Sequence, residues 1–169
     1  MKKGFGIAAT LALALAPFAM ADFDQALDDF KRGKFVEAAA GFQEIVDQSP
    51  SYDYGYFMLG MSFLQMNKPA EAEENFRKAI ELNGDRFEYH HGLANAHFQR
   101  QEYGDVVATL RTAEGLAGDA ANQYALYKLR GFSYVGLEKW GDAIEDLEKA
   151  RKIKSSDAVL DRLDRKRHV

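Results

Sequence analysis

Residues 56–79 read Tyr56-Phe57-Met58-Leu59-Gly60-Met61-Ser62-Phe63-Leu64-Gln65-Met66-Asn67-Lys68-Pro69-Ala70-Glu71-Ala72-Glu73-Glu74-Asn75-Phe76-Arg77-Lys78-Ala79. Tyr56, Leu59, Gly60 and Phe63 follow one another at three- and four-residue spacing, which gathers them on one side of a helix. Ala72, Phe76 and Ala79 repeat that spacing as small, bulky, small, the pattern of two helices that interdigitate. Between them Asn67-Lys68-Pro69 breaks the chain, and Gly60 stands where a second backbone can come close. The stretch predicts a helix-turn-helix hairpin.

The pattern recurs outward in both directions. Upstream, Gly33-x-Phe35-x-x-Ala38-x-x-x-Phe42 runs to Ser49-Pro50; downstream stand Tyr103-x-x-Val106-x-x-x-Leu110-x-x-Ala113 and Trp140-x-x-Ala143-x-x-x-Leu147-x-x-Ala150. The anchors Ala38, Ala72, Val106 and Ala143 lie 34, 34 and 37 residues apart. A fixed period of this size is the mark of stacked supersecondary units, none of which buries its apolar face alone.

Period and pattern resemble the tetratricopeptide repeat family. The motif positions carried onto this chain are Tyr56, Leu59, Gly60, Phe63, Ala72, Phe76 and Ala79 in the second repeat, and Tyr127, Gly131, Tyr134, Trp140 and Ala143 in the fourth. The resemblance implies an all-α chain: an α-solenoid of about four hairpins in a right-handed superhelix, with a C-terminal capping helix. Repeats are expected at about 22–50, 53–84, 87–118 and 124–154, with a capping helix and basic tail over 155–169. In that last stretch Ser155-Ser156-Asp157 reads as a helix cap.

Each repeat departs from the pattern in its own way. In the first, Asp29 stands where the family has a bulky aromatic, beside Phe30, so this repeat is expected to fray first. In the third, His90 and His97 take aromatic places and Ala94 takes that of the glycine. Between the third and fourth, Gly115 to Asn122 supplies three extra residues, read as a lengthened, pliable turn.

The start of the chain reads differently. Lys2 and Lys3 precede an apolar run from Ile7 to Ala16, and Ala19-Met20-Ala21 offers small residues before Asp22. This is the layout of a signal peptide over 1–21, cleaved after Ala21, and it predicts export to a bacterial periplasm with no stable membrane insertion of the product. The alternative is an uncleaved inner-membrane anchor carrying periplasmic repeats, against which the run is short for a bilayer. Loss of 1–21 removes two lysines and no acid, moving the formal charge from −4 to −6, a balance that speaks against nucleic acid as partner. The chain has no cysteine, so its stability is expected from packing between hairpins.

Chemistry needs convergent titratable groups, and few are in view. His90 and His97 lie seven apart on one face, but they fill packing places and have no cysteine or i+4 histidine beside them, so no metal is expected there. His91 turns off that face and joins Glu88 and Asn95 in a polar strip, the sole basis for an enzymatic reading, with no nucleophile beside it. There is no phosphate-cradling glycine loop or nucleophile elbow. No cofactor and no catalytic activity are expected.

The resemblance also implies that the first helix of each hairpin lines a concave groove. Carried over, the lining is Phe23, Leu27 and Phe30, then Tyr54, Phe57, Met61 and Leu64, then Glu88, His91, Asn95 and Phe98, then Lys128, Phe132 and Val135. Its first half is apolar and includes the adaptable side chain of Met61; its second half is polar with one cation. Of the residues with which some family members clamp a terminal carboxylate, only Asn95 and Lys128 have counterparts here, Phe57 and Met61 replacing the rest, which disfavours that ligand. The expected function is a non-enzymatic scaffold holding a peptide or amphipathic helix of an envelope protein. The competing reading is a structural homo-oligomer whose groove or ends are filled by other copies or by its own chain.

Overall fold

The computed structural model describes residues 16–155, with side chains from residue 22. The capping helix expected after Ser155, and residues 1–15 of the expected signal segment, lie outside the described residues. Within them the chain is all-helical, with no strand. Four hairpins follow in order: α1 (Ala16–Lys31) with α2 (Phe35–Gln48), α3 (Asp53–Gln65) with α4 (Pro69–Leu82), α5 (Phe87–Gln99) with α6 (Tyr103–Thr112), and α7 (Ala120–Gly136) with α8 (Trp140–Ile153). Each helix packs on the next, and α5 also touches α3 and α7, so the first helices of successive hairpins form one layer. The result is an α-solenoid.

The turn inside each hairpin is built the same way. Gly33, Asn67, Gln101 and Glu138 all adopt positive φ, between 57° and 77°. The amide after each one reaches back five residues: Lys34 to Asp29, Lys68 to Phe63, Glu102 to His97 and Lys139 to Tyr134. This is a left-handed helix terminus that satisfies carbonyls left open by the helix end. Only the first hairpin places glycine there, so the other three hold an ordinary residue in a conformation that costs roughly 1 kcal/mol or more.

The core is a string of clusters, each bridging neighbouring helices. Ala38, Phe42, Ile45 and Val46 of α2 close on Met58 and Leu59 of α3. Leu64, Ala72 and Phe76 close on Leu93 and Ala96 of α5. Phe87 and Ala94 meet Val106, Leu110 and Leu126, and Val107 meets Tyr134 and Ala143. Ala72, Phe76 and Ala79 are fully buried, as the spacing requires.

Gly60 has a different reason from the one expected. A Cβ there would lie 2.9 Å from the Phe76 ring, and one at Gly92 only 2.6 Å from the same ring. The two glycines, one on α3 and one on α5, admit the flat side chain that joins the second and third hairpins, rather than a second backbone. Ala94, at the glycine place of the third repeat, packs in the cluster of Val106 and Leu110.

The stretch Gly115–Asn122 contains most of the lengthened connection expected, residues 113–119 joining α6 to α7 where 83–86 join α4 to α5. The last turn of the second helix tightens into a 3-10 turn at Glu114–Leu116, and Asp119 caps α7 by accepting from the Asn122 amide at 2.8 Å. Ala120–Asn122 are helical and also lengthen α7 at its start, so part of the insertion is ordered as helix. Glu114 is held from the other side by Arg130, which is 5% exposed and pairs in two-pronged fashion with Asp146 as well.

Asp29 is accommodated rather than exposed. It accepts from the Gln25 amide at 3.0 Å and faces Lys34 at 3.5 Å, and these partners hold its carboxyl below the usual range.

Candidate functional site

The face carried by the first helices begins with a row of rings. Phe23 of α1 lies 5.8 Å from Tyr54 of α3, Tyr54 stacks on Phe57 at 5.6 Å, and Phe57 lies 5.1 Å from Tyr89 of α5. The row therefore crosses three hairpins, and such ring contacts add packing energy beyond their buried area. Tyr89, fully buried, donates its hydroxyl to Asp53 at 3.0 Å. Asp53 also accepts from Asn83 at 2.9 Å and faces Arg86 at 4.0 Å. Against the opposing effect of burial, these hydrogen bonds keep the Asp53 carboxyl below its usual range, while burial and Asp53 push the Tyr89 phenol up.

Beyond the row comes the polar strip. His91 stacks on Phe87 at 5.6 Å, and Asn95 returns its amide to the His91 carbonyl at 2.8 Å. Burial lowers the His91 pKa, so at neutral pH the ring is uncharged. Glu88 is the one exposed residue among the thirteen named groove candidates Phe23 to Phe132.

The others divide. Leu27 and Phe30 are half-buried against the first cluster, with Phe30 5.4 Å from Phe35 of its own hairpin. Leu64 is only 7% exposed, inside the cluster of Phe76 and Leu93, so it belongs to the core and not to a lining. Met61 is half-buried beside it. Phe98 meets Tyr103 edge-on across the α5–α6 turn. Lys128 donates to the Tyr124 hydroxyl at 3.2 Å and lies over that ring. Phe132 and Val135 are half-buried on α7. Phe57 faces the buried rings of Phe76 and Tyr89, so a charge there would damage the core as well as the face.

His90 and His97 are buried, at 9% and 4% exposure. His90 shares a hydrogen bond with the Gly84 carbonyl at 2.9 Å, tying α5 to the preceding loop. His97 meets Glu102 at 2.8 Å. A shallow, open depression of about 390 Å³ lies between α4, α5 and α6, lined by Arg77, Ile80, Glu81, His90 and Thr109 among others.

Missed in the sequence were the polar groups that pair between elements: Asp53 with Asn83 and Tyr89, Glu73 with Arg100, and Arg130 with Asp146 and Glu114. Their separations of 30, 36, 27 and 16 residues fall on no local helical spacing. Opposite charge was a signal for Glu73 with Arg100 and for Arg130 with its two acids, and nothing in the residue types marked Asp53 with Asn83 and Tyr89.

A tetratricopeptide repeat family model matches residues 57–125, the segment from α3 into α7 that contains the polar strip and the inner part of the ring row. Over those residues the chain carries tetratricopeptide repeats. Solved structures agree on the fold. MamA 41-end from Desulfovibrio magneticus RS-1 superposes with a TM-score of 0.77 at 18% identity, over 87% of this chain and 81% of that one. A second structure, described as MamA protein, gives 0.75 at 21% identity, over 83% and 75%. TTC0263, a thermophilic tetratricopeptide repeat protein of Thermus thermophilus, gives 0.68 at 15%, over 81% and 75%. At such identities the likeness concerns the fold. A tetratricopeptide repeat array is a scaffold for protein partners, and among the described residues of this one no helix is long and apolar enough to cross a membrane.

Proposed function

We propose that this chain is a non-enzymatic interaction module of the bacterial cell envelope, holding a peptide or amphipathic helix of an envelope protein along its first helices. The observation that carries the reading is the half-buried ring row of Phe23, Tyr54 and Phe57, which passes directly into the strip of Glu88, His91 and Asn95. A partner with apolar anchors at one end and polar or cationic groups at the other complements that order, with Met61 adjusting to its shape. Neutral, stacked His91 and back-bonded Asn95 suit contact better than proton transfer. Export rests on Lys2, Lys3, the apolar run 7–16 and Ala19-Met20-Ala21.

The test is capture from an envelope extract with the wild type, with Met61→Glu and with Glu88→Lys, each checked by circular dichroism. Both variants are expected to keep the fold and lose the captured protein. Undiminished capture by both overturns the groove as the site.

A second reading has its own observation. Trp140 and Ile144 on α8 are 59% and 43% exposed, a surface suited to a further copy of the chain. Light scattering that shows concentration-dependent growth, abolished by Trp140→Ser, favours self-assembly; a monomer at all concentrations ends that reading.

A further inference from the structure

We propose that Glu73, His97 and Glu102 form a binding site for a divalent transition-metal ion that clamps the second hairpin to the third. Glu73 comes from α4, His97 from the last turn of α5, and Glu102 from the position just before α6. One ligand atom from each lies within 4.8 Å of the other two. His97 is 4% exposed and its Nδ1 lies 2.8 Å from Glu102 Oε2, so the imidazole is already fixed and aimed at a carboxylate. The side chains of Glu73 and Glu102 are 17% and 30% exposed, open enough for an ion to enter.

The cluster is organised around a positive charge. Arg100 lays its guanidinium across both carboxylates, Nη1 to Glu73 at 2.5 Å and Nη2 to Glu102 at 2.7 Å, while Arg77 takes the other Glu73 oxygen at 2.8 Å. Arg100 stands just past the end of α5 with 38% of its side chain exposed, so it can turn out to solvent when a smaller dication takes its place. Metal bonds of about 2.0–2.2 Å draw the three donors closer than they now stand, a movement within reach of two glutamate side chains. One imidazole with two carboxylates is a donor set for Zn²⁺, Co²⁺ or Mn²⁺ rather than for the oxygen-seeking Mg²⁺ and Ca²⁺, and three protein ligands leave a coordination position for water. The ion would join the two hairpins whose glycines, Gly60 and Gly92, meet the Phe76 ring, whether or not the aromatic row binds a peptide.

The test uses the chelator-stripped full chain without a histidine tag. ZnCl₂ is titrated calorimetrically and CoCl₂ by visible absorption, beside thermal melts with and without zinc. Wild type is expected to bind one Zn²⁺ and to melt higher with it. Arg100→Gln, which removes the internal competitor, is expected to bind roughly tenfold tighter, and Glu73→Gln and Glu102→Gln each about 10–100-fold weaker, as for loss of a ligating group. Zinc binding unchanged in the Glu73→Gln/Glu102→Gln double variant overturns the site. So does an Arg100→Gln variant that binds zinc no tighter than wild type, or one that shows no binding at all.

Discussion

Replacing Arg130 with methionine is the sharpest test of how the fourth hairpin is held. In the native chain the guanidinium directs two nitrogens at Asp146, at 2.6 and 3.0 Å, and reaches Glu114 at 2.8 Å, with Tyr127 beneath it. Arg130→Met keeps much of the aliphatic volume and removes the charge. Glu114, 45% exposed, turns to water at little cost. Asp146 has no such escape, because its side chain is 4% exposed and the nearest remaining cation, Lys149, stands 4.0 Å away. An uncompensated buried charge costs about 3–5 kcal/mol, and the distant lysine places the expectation near the lower end, about 3 kcal/mol. For a chain of this size that lowers the melting temperature by roughly 6–12 °C. Removing the stranded carboxylate as well, in Arg130→Met/Asp146→Leu, is expected to return the stability to within about 1 kcal/mol of wild type, since apolar replacement of a whole buried pair is often neutral. Urea titration followed by circular dichroism reads both steps, and hydrogen exchange should place the loss in α7 and α8 while α3 and α4 keep their protection. A single variant no worse than Glu114→Gln, or a double variant no better than the single, refutes the reasoning.

Other consequences are equally open to measurement. Gly92→Ala pushes a methyl to 2.6 Å from the enclosed Phe76 ring and should cost about 1–3 kcal/mol, whereas Gly104→Ala, with nothing within 4 Å, should gain up to about 1 kcal/mol in urea melts. Glu138→Gly relieves a positive φ of 59° and should raise the urea midpoint, while Gly33→Ala at 77° should lower it by roughly 1 kcal/mol; the same sign for both would contradict the shared turn. Because the folded state depresses the Asp53 pKa, its contribution is complete above the unfolded carboxylate value of about 4 and disappears as pH falls through the lower folded value. Asp53→Asn should therefore be less stable than wild type at pH 7 and show a shallower loss on acidification from about pH 5 to about pH 2.

The period of 34 residues and the alternation of small and bulky positions, Ala38 with Phe42 and Ala72 with Phe76, determined by themselves that this chain forms stacked helical hairpins. In a repeat array each unit touches only its neighbours, so size and spacing along a helix suffice to say what is buried. Only the tertiary structure decided which residues pair across those units. It moved Leu64 from the face to the core, tied Phe57 to Tyr89, used the residues before Asn122 for a longer α7, and brought Glu73, His97 and Glu102 together. Apolar burial is non-directional and leaves a periodic trace in the chain, whereas a hydrogen bond or an ion pair needs two atoms at about 3 Å, a distance set by how helices cross and which rotamers they permit.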